Sequence, residues 1–292
     1  NMLEVEVAGI KMKNPLMLAS GILDLTKESM EKFANAGAVV TKSIGMEARK
    51  GYKNPVFYEL PCGILNAIGL ANPGIDEYIK EIEGIKVENL IGSIFGSNSK
   101  EFSYLSKKFS PYIKAIEMNM SCPHASKMGA EYPTEEIGNA VEACKEAGKP
   151  VFVKLGMENI LERAAAAIEG KADAIVAINS IKAMAINIKV AMPVLGNKVG
   201  GYSGKAIKPI GVRCVYELAS NFDLPIIGVG GITKAEDVIE YMMAGATAVQ
   251  IGAGVYYEGE KIFGKICSDL EKWLDEHGYN SIKDIVGIAL KK

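Results

Sequence analysis

The sequence predicts a (β/α)8 TIM barrel with an enlarged loop after its second strand. Eight short apolar segments alternate with longer helical patterns along the 292 residues. Most of these segments are apolar at nearly every position, as expected of parallel strands covered on both faces. No GxGxxG motif follows the first segment, which disfavours the alternative fold, a doubly wound open sheet. We therefore expect a single domain over residues 1–292.

The predicted strands are short runs of aliphatic residues that end where polar residues or glycines begin. They cover residues 15–20, 38–42, 90–95, 115–119, 151–155, 174–179, 225–229 and 248–252. The connection between the second and third strands, residues 43–89, is much longer than a simple turn. Long loops after barrel strands usually serve function, since they lie over the active face.

Capping signals predict the helices between the strands. One helix is expected from Thr134 to Ala147, with Thr134 as its N-cap, acidic residues in its first turn and Gly148 after its end. A second is expected over residues 234–244, before Gly245. Both fit the spaces between predicted strands.

Composition excludes several classes of protein. The chain has 33 basic and 35 acidic side chains, without the basic excess that nucleic-acid binders usually show. It has no signal-peptide pattern and no apolar run near the roughly 20 residues that span a bilayer, so we expect a cytoplasmic protein. The five scattered cysteines and two histidines form no disulfide framework, zinc motif or iron–sulfur motif.

Polar residues stand at the predicted carboxyl ends of the strands, where barrel enzymes carry their chemistry. The set contains two lysines and two asparagines: Ser20, Lys42, Ser43, Asn119, Lys154, Asn179 and Ser180. No carboxylate pair stands there, which argues against a glycosidase. No metal-binding cluster stands there either, which argues against a metal hydrolase. The set therefore predicts a small-molecule site without a metal.

Glycines end the last two strands, at Gly230, Gly231 and Gly252. Barrels often bind a phosphate in these two loops through backbone N–H groups. Glycine in either loop alone is also typical of an ordinary tight turn. Together, the glycines of the two loops favour a cofactor or substrate that carries a phosphate.

Cys122 follows the fourth strand, in the stretch Asn-Met-Ser-Cys-Pro-His that ends at His124. A thiol on an active-face loop could act as nucleophile or base, whereas most isolated cysteines are buried filler.

Several motifs together resemble the class 1 dihydroorotate dehydrogenases over essentially the whole chain. They are Asn66–Leu70 (Asn-Ala-Ile-Gly-Leu), Asn119–Pro123 (Asn-Met-Ser-Cys-Pro), residues 200–204 with Ile207-Lys208-Pro209, and Gly230-Gly231 followed by Gly252-Ala253. The Asn-Ala-Ile-Gly-Leu form most resembles the NAD-linked subtype, class 1B. Class 2 enzymes have serine where this chain has Cys122.

The resemblance implies an FMN-dependent barrel that oxidises (S)-dihydroorotate to orotate in pyrimidine biosynthesis. It implies Cys122 as the base at C5 of the substrate, with hydride passing from C6 to FMN. The implied substrate-binding residues are Lys42, Asn66, Ala67, Ile68, Gly69, Leu70, Asn119, Asn179 and Ser180. The implied FMN-binding residues are Ser20, Lys42, Ser43, Asn119, Lys154, Ile178, Gly204, Gly230, Gly231, Gly252 and Ala253.

The resemblance also implies a homodimer, within a heterotetramer that includes a partner subunit carrying FAD and a [2Fe-2S] cluster. This chain lacks cysteines for such a cluster, so the partner would supply it. One departure is His124, where the family usually has a substrate-contacting asparagine.

Three alternatives remain open. His124 keeps a flavin barrel acting on another dihydropyrimidine, such as dihydrouracil, under consideration. A class 1A enzyme linked to fumarate would also lack cluster cysteines. A phosphate-binding barrel without redox chemistry is the third alternative.

Overall fold

The computed structural model describes residues 1–120 and 131–291. Its strands are β1 (Val5–Val7), β2 (Ile10–Met12), β3 (Leu16–Leu18), β4 (Ala38–Val40), β5 (Phe57–Leu60), β6 (Gly63–Asn66), β7 (Leu90–Ile94), β8 (Ala115–Asn119), β9 (Val151–Leu155), β10 (Ala174–Ala177), β11 (Ile181–Ala183), β12 (Ile186–Asn187), β13 (Met192–Pro193), β14 (Gly200–Ser203), β15 (Ile226–Val229) and β16 (Ala248–Ile251). Its α-helices are α1 (Lys27–Glu31), α2 (Ile75–Ile82), α3 (Ser99–Phe109), α4 (Thr134–Lys145), α5 (Ile160–Glu169), α6 (Lys208–Asn221), α7 (Ala235–Met243), α8 (Ala253–Glu258) and α9 (Lys261–His277).

Eight parallel strands close into a barrel in the order β3, β4, β7, β8, β9, β10, β15 and β16. The last strand returns to the first, with Val249 paired to Leu16. Each barrel strand lies within one of the eight predicted segments, so the predicted (β/α)8 fold is confirmed.

Burial explains why these segments form the barrel. Strands β7 and β9 are buried at all five positions, as the near-continuous apolar pattern predicts. The surrounding helices bury one face each: α2 buries Ile75, Tyr78 and Ile82, which are spaced three and four residues apart. One large apolar core therefore forms inside the barrel and between the barrel and its helices.

Two long connections, one of them not predicted, build a sheet above the barrel. The enlarged loop after β4 contains β5, β6 and α2, as the length of that connection led us to expect. The connection from β10 to α6 contains four further short strands, which the sequence analysis missed. These two connections meet in an antiparallel sheet with the order β11, β14, β6, β5.

An N-terminal hairpin of β1 and β2 covers the opposite end of the barrel. Val5, Val7 and Met12 of this hairpin belong to the main core. Asn89, just before β7, donates one hydrogen bond to the Lys11 carbonyl and another to a carbonyl just before β4, each at 2.9 Å. The hairpin therefore closes the amino-terminal end and leaves the carboxyl ends of the strands for a site.

Helix α4 begins at Thr134, so the prediction of Thr134 as its N-cap is wrong by one residue. Pro133 holds the cap position and makes no side-chain capping bond. The Thr134 hydroxyl instead accepts a hydrogen bond from Arg163 at 3.3 Å. Helix α7 lies within the predicted range of 234–244.

None of the helices within residues 1–120 and 131–291 has both the length and the apolar character that a membrane crossing needs.

Candidate active site

A cavity of about 620 Å³ opens at the carboxyl ends of the barrel strands, beneath the antiparallel sheet. Most residues predicted for the site line it: Ser20, Lys42, Ser43, Asn66, Ile68, Gly69, Leu70, Asn119, Lys154, Ile178, Asn179, Ser180, Gly204, Gly230, Gly231, Gly252 and Ala253. The fold thus brings residues from distant parts of the sequence into one place, as the barrel topology led us to expect.

Two residues singled out in the sequence analysis cannot be placed, and a third lies away from the cavity. Cys122 and His124 lie outside the described residues. Ala67, a predicted substrate contact, is described but does not line the cavity: it is buried in a small apolar cluster with Leu65, Val194 and Leu195. We therefore leave Ala67 out of the proposed substrate contacts.

Hydroxyl and amide groups are linked along one wall of the cavity. The Ser43 hydroxyl lies 2.7 Å from that of Ser93 and 3.3 Å from that of Ser20. The Asn119 side chain donates to the Ser43 hydroxyl at 3.2 Å and accepts from the Asn179 amide at 3.4 Å. These bonds orient both asparagines, so each presents a fixed set of donors and acceptors to a ligand.

Lys42 follows β4 and is half-buried in the cavity wall. Its backbone N–H donates to the Asp24 carbonyl at 3.2 Å, which fixes its main chain. Among the salt bridges of the described residues, none involves the Lys42 ammonium. A lysine placed in this way is suited to an anionic group of a ligand.

Lys154 lies deeper, on β9, with only 7% of its side chain exposed. Its ammonium donates to the Gln250 side-chain oxygen at 3.2 Å and lies 3.9 Å from a carboxylate oxygen of Glu117. The cavity floor therefore carries a buried cation with a nearby buried carboxylate.

The glycines after β15 adopt conformations that other residues avoid. Gly230 and Gly231 have φ values of 132° and 72°. A Cβ at Gly231 would lie 2.7 Å from the Lys208 Cβ and 2.9 Å from the Gly204 carbonyl oxygen. Glycine at this turn lets the backbone come close to the cavity, as a phosphate-binding loop needs.

Arg163 on α5 holds the two chain segments that flank residues 121–130. It is 3% exposed, and its guanidinium donates to the Tyr132 carbonyl at 2.8 Å and to the Met120 carbonyl at 3.0 Å. It also lies 3.6 Å from the carboxylate of Glu131, which lines the cavity. Burial raises the pKa of Glu131, and the charge of Arg163 opposes that rise.

Sequence reasoning missed several cavity residues. The polar and aromatic ones include Phe57, Glu117, Glu131, Glu158, Lys182, Gln250 and Tyr256. A signal for Glu117 and Gln250 was present, since each is a polar residue flanked by apolar residues within a buried strand. The others come from loops and short elements whose approach to the barrel depends on the tertiary fold.

A buried carboxylate beside the first loop makes stability depend on pH. Asp24 is 2% exposed, and its carboxylate accepts from the Gly21 N–H at 2.5 Å. Burial raises the pKa of Asp24 to about 6, although the Gly21 N–H and the Lys42 charge oppose this. Because an unfolded aspartate has a pKa near 4, the folded protein binds this proton more tightly, and stability falls as pH rises from about 4 to 6.

Asp24→Asn should therefore be more stable than the natural protein near pH 7, by up to about 3 kcal/mol, and about equally stable near pH 4. Asparagine retains the acceptor for Gly21 but has no proton to lose. Urea unfolding of both proteins at the two pH values measures this. A stability difference that does not change with pH would contradict the prediction.

A closed (β/α)8 barrel with three lysines and three asparagines around one cavity at the carboxyl ends of its strands is typical of an enzyme that binds an anionic small molecule. The family model described as dihydroorotate dehydrogenase matches residues 2–274. The chain belongs to the dihydroorotate dehydrogenase family, and it is an oxidoreductase, as the motifs led us to expect.

Three relatives carry the same name, dihydroorotate dehydrogenase B (NAD(+)), catalytic subunit. The Pyrococcus abyssi protein is 47% identical over 99% of this chain and 100% of its own length. The proteins from Methanocaldococcus jannaschii and Thermoplasma acidophilum are each 47% identical over 99% of this chain, and over 98% and 99% of their own lengths. The predicted resemblance to the NAD-linked subtype is confirmed.

Proposed function

We propose that this chain oxidises (S)-dihydroorotate to orotate in pyrimidine biosynthesis, with FMN as its bound cofactor. The observation that carries the proposal is the meeting of Lys42, Lys154 and the asparagines Asn66, Asn119 and Asn179 in one cavity of a chain from this family.

The residues of the cavity suit FMN. The Gly230-Gly231 turn and the Gly252-Ala253 backbone would hold the phosphate, because a glycine backbone can approach an anion closely. Lys154 would face the polar edge of the ring system, where a cation stabilises added negative charge. When bound, FMN supplies a two-electron acceptor that amino-acid side chains lack. Further contacts would come from Ser20, Lys42, Ser43, Asn119, Ile178 and Gly204.

The remaining residues suit dihydroorotate. Lys42 would pair with the substrate carboxylate. Asn66, Asn119 and Asn179 offer both donors and acceptors, which match the alternating N–H and C=O groups of a pyrimidine ring. Ile68, Gly69, Leu70 and Ser180 would complete the substrate-binding wall. Cys122 would remove the C5 proton as the base.

We also propose the surrounding assembly from the names of the relatives and from the family resemblance. The chain would act as one domain in a cytoplasmic homodimer. A partner subunit carrying FAD and a [2Fe-2S] cluster would pass electrons to NAD and complete a heterotetramer. Within the described residues, no group of three or more His, Cys, Asp or Glu side chains is placed to hold a metal ion.

The purified chain should show flavin absorption that bleaches on anaerobic addition of dihydroorotate. Dihydrouracil should cause little bleaching, because it lacks the carboxylate that Lys42 would bind. The reduced protein should then be reoxidised by NAD only when an iron–sulfur flavoprotein from the same cell is added. Bleaching by dihydrouracil alone would refute the substrate, and reoxidation by fumarate without a partner would indicate a class 1A enzyme.

A further inference from the structure

Three polar side chains from three barrel strands meet beneath the cavity. Glu117 on β8 and Gln250 on β16 are 0% exposed, and Lys154 on β9 is nearly buried. Apart from the half-buried Asn119 at the end of β8, the other residues of these strands are apolar and buried. A buried carboxylate is costly unless it is paired, so packing alone does not explain Glu117 at this position.

Each hydrogen bond within this cluster has only one possible assignment of donor and acceptor. Gln250 donates its amide N–H to Glu117 Oε2 at 2.6 Å, and Lys154 donates to Gln250 Oε1 at 3.2 Å. A carboxylate can only accept and an ammonium can only donate. Glu117 therefore fixes which end of the Gln250 amide faces Lys154, and Gln250 in turn holds the ammonium.

The cluster leaves capacity for a ligand. An ammonium has three N–H donors, and the described residues accept only one hydrogen bond from Lys154. The second Glu117 oxygen, Oε1, is buried without a hydrogen-bond partner in the described part of the chain, 3.9 Å from the ammonium. The two charges therefore offset each other without using all the donors of Lys154.

We propose that Glu117 and Gln250 are positioning residues that hold the Lys154 ammonium at the cavity floor and offset its charge toward a bound flavin. This inference rests on the proposed FMN function, which gives Lys154 its ligand. Gln250 holds the ammonium by accepting a hydrogen bond from it. Glu117 orients the Gln250 amide and supplies the opposing negative charge.

Two variants separate these roles. Glu117→Gln keeps the size and an acceptor for Gln250 but removes the negative charge. It should raise the affinity for reduced FMN relative to oxidised FMN by about tenfold, because reduced FMN carries the extra negative charge. Gln250→Leu removes the hold on Lys154 and should weaken the binding of both forms. Glu236→Gln, at an exposed position on α7, is the matched control and should change neither.

A double-mutant cycle with Lys154→Met tests whether Glu117 acts through Lys154. Burial raises the pKa of Glu117 and the Lys154 charge opposes that rise, so removing the cation favours the neutral carboxyl group, which resembles glutamine. Adding Glu117→Gln to Lys154→Met should then leave the ratio of the two FMN affinities unchanged. Midpoint potentials together with titration of oxidised FMN give that ratio for each variant.

Urea unfolding of the FMN-free variants provides a readout without the cofactor. Glu117→Gln and Lys154→Met should each lower the unfolding midpoint, because each leaves or alters a buried charge. The variant with both substitutions should lower the midpoint by less than the sum of the two single changes. Two results would overturn the inference even if FMN binds normally. One is a double variant whose midpoint change equals the sum of the two single changes. The other is an unchanged ratio of the affinities for reduced and oxidised FMN in Glu117→Gln. Coupled midpoints in a protein that takes up no FMN would instead refute the proposed function and leave the positioning of Lys154 supported.

Discussion

Cys122→Ala should retain FMN but lose substrate-driven flavin reduction by about 10²- to 10⁴-fold, the usual contribution of a general base. The reason is that no proton would be removed from C5 of dihydroorotate while hydride leaves C6. Rapid mixing of the oxidised, FMN-loaded variant with dihydroorotate under anaerobic conditions measures the rate directly. Flavin content, measured from the absorption spectrum, should equal that of the natural protein.

Two further variants make this result specific. Cys62→Ala replaces an exposed thiol that does not line the cavity and should reduce FMN at the normal rate. Cys122→Ser should retain part of the rate, most visibly at high pH, because a hydroxyl gives up its proton less readily than a thiol. A normal rate in Cys122→Ala would remove Cys122 from the mechanism and leave the base to be found elsewhere.

Arg163→Met should destabilise the protein by about 3–5 kcal/mol, the usual cost of removing one partner from a buried charged network. The substitution leaves the Met120 and Tyr132 carbonyls without their guanidinium donors and removes the cation near Glu131. Urea unfolding of the natural and variant proteins measures the change in the free energy of unfolding. Because Met120 and Tyr132 flank residues 121–130, we expect the rate with dihydroorotate to fall as well.

The controls for Arg163 distinguish charge from shape. Arg213 lies on α6 with half of its side chain exposed and forms a surface ion pair with Glu217 one turn away, so Arg213→Met should cost less than about 1 kcal/mol. Arg163→Lys keeps the charge but cannot donate to two carbonyls with the geometry of a guanidinium, so its stability should be intermediate. Equal losses in Arg163→Met and Arg213→Met would show that the buried contacts contribute nothing beyond a surface pair.

The barrel could be predicted from sequence because its strands carry a local signal. Each barrel strand is a short apolar run, and burial on both faces requires that composition wherever the strand lies. The strands β11 and β14 carry no such signal, since they are half-exposed. They pair with each other, and β14 also pairs with β6 across the mouth. Thr134 was misassigned for a similar reason, because its hydroxyl bonds to Arg163 on another helix.

The candidate site could be predicted mainly where polar residues stand at the ends of strands. Of the polar residues within the strands, Lys154 on β9 was predicted, but Glu117 and Gln250 were not. Lys42 and Asn119 lie at strand ends, and both line the cavity. Glu117 and Gln250 were passed over because each is a single polar residue within an apolar run, and only their meeting across the barrel makes them a pair. The role of Cys122 stays a prediction from the family motif.

The sheet above the cavity has a consequence for the order of folding. Strands β6 and β14 pair directly, yet the barrel strands β7, β8, β9 and β10 all lie between them in the chain. Joining segments so far apart costs chain entropy before any pairing energy is gained. The roof of the cavity can therefore form only after β7, β8, β9 and β10 have been synthesised, so a chain emerging from the ribosome gains its ability to bind ligand late.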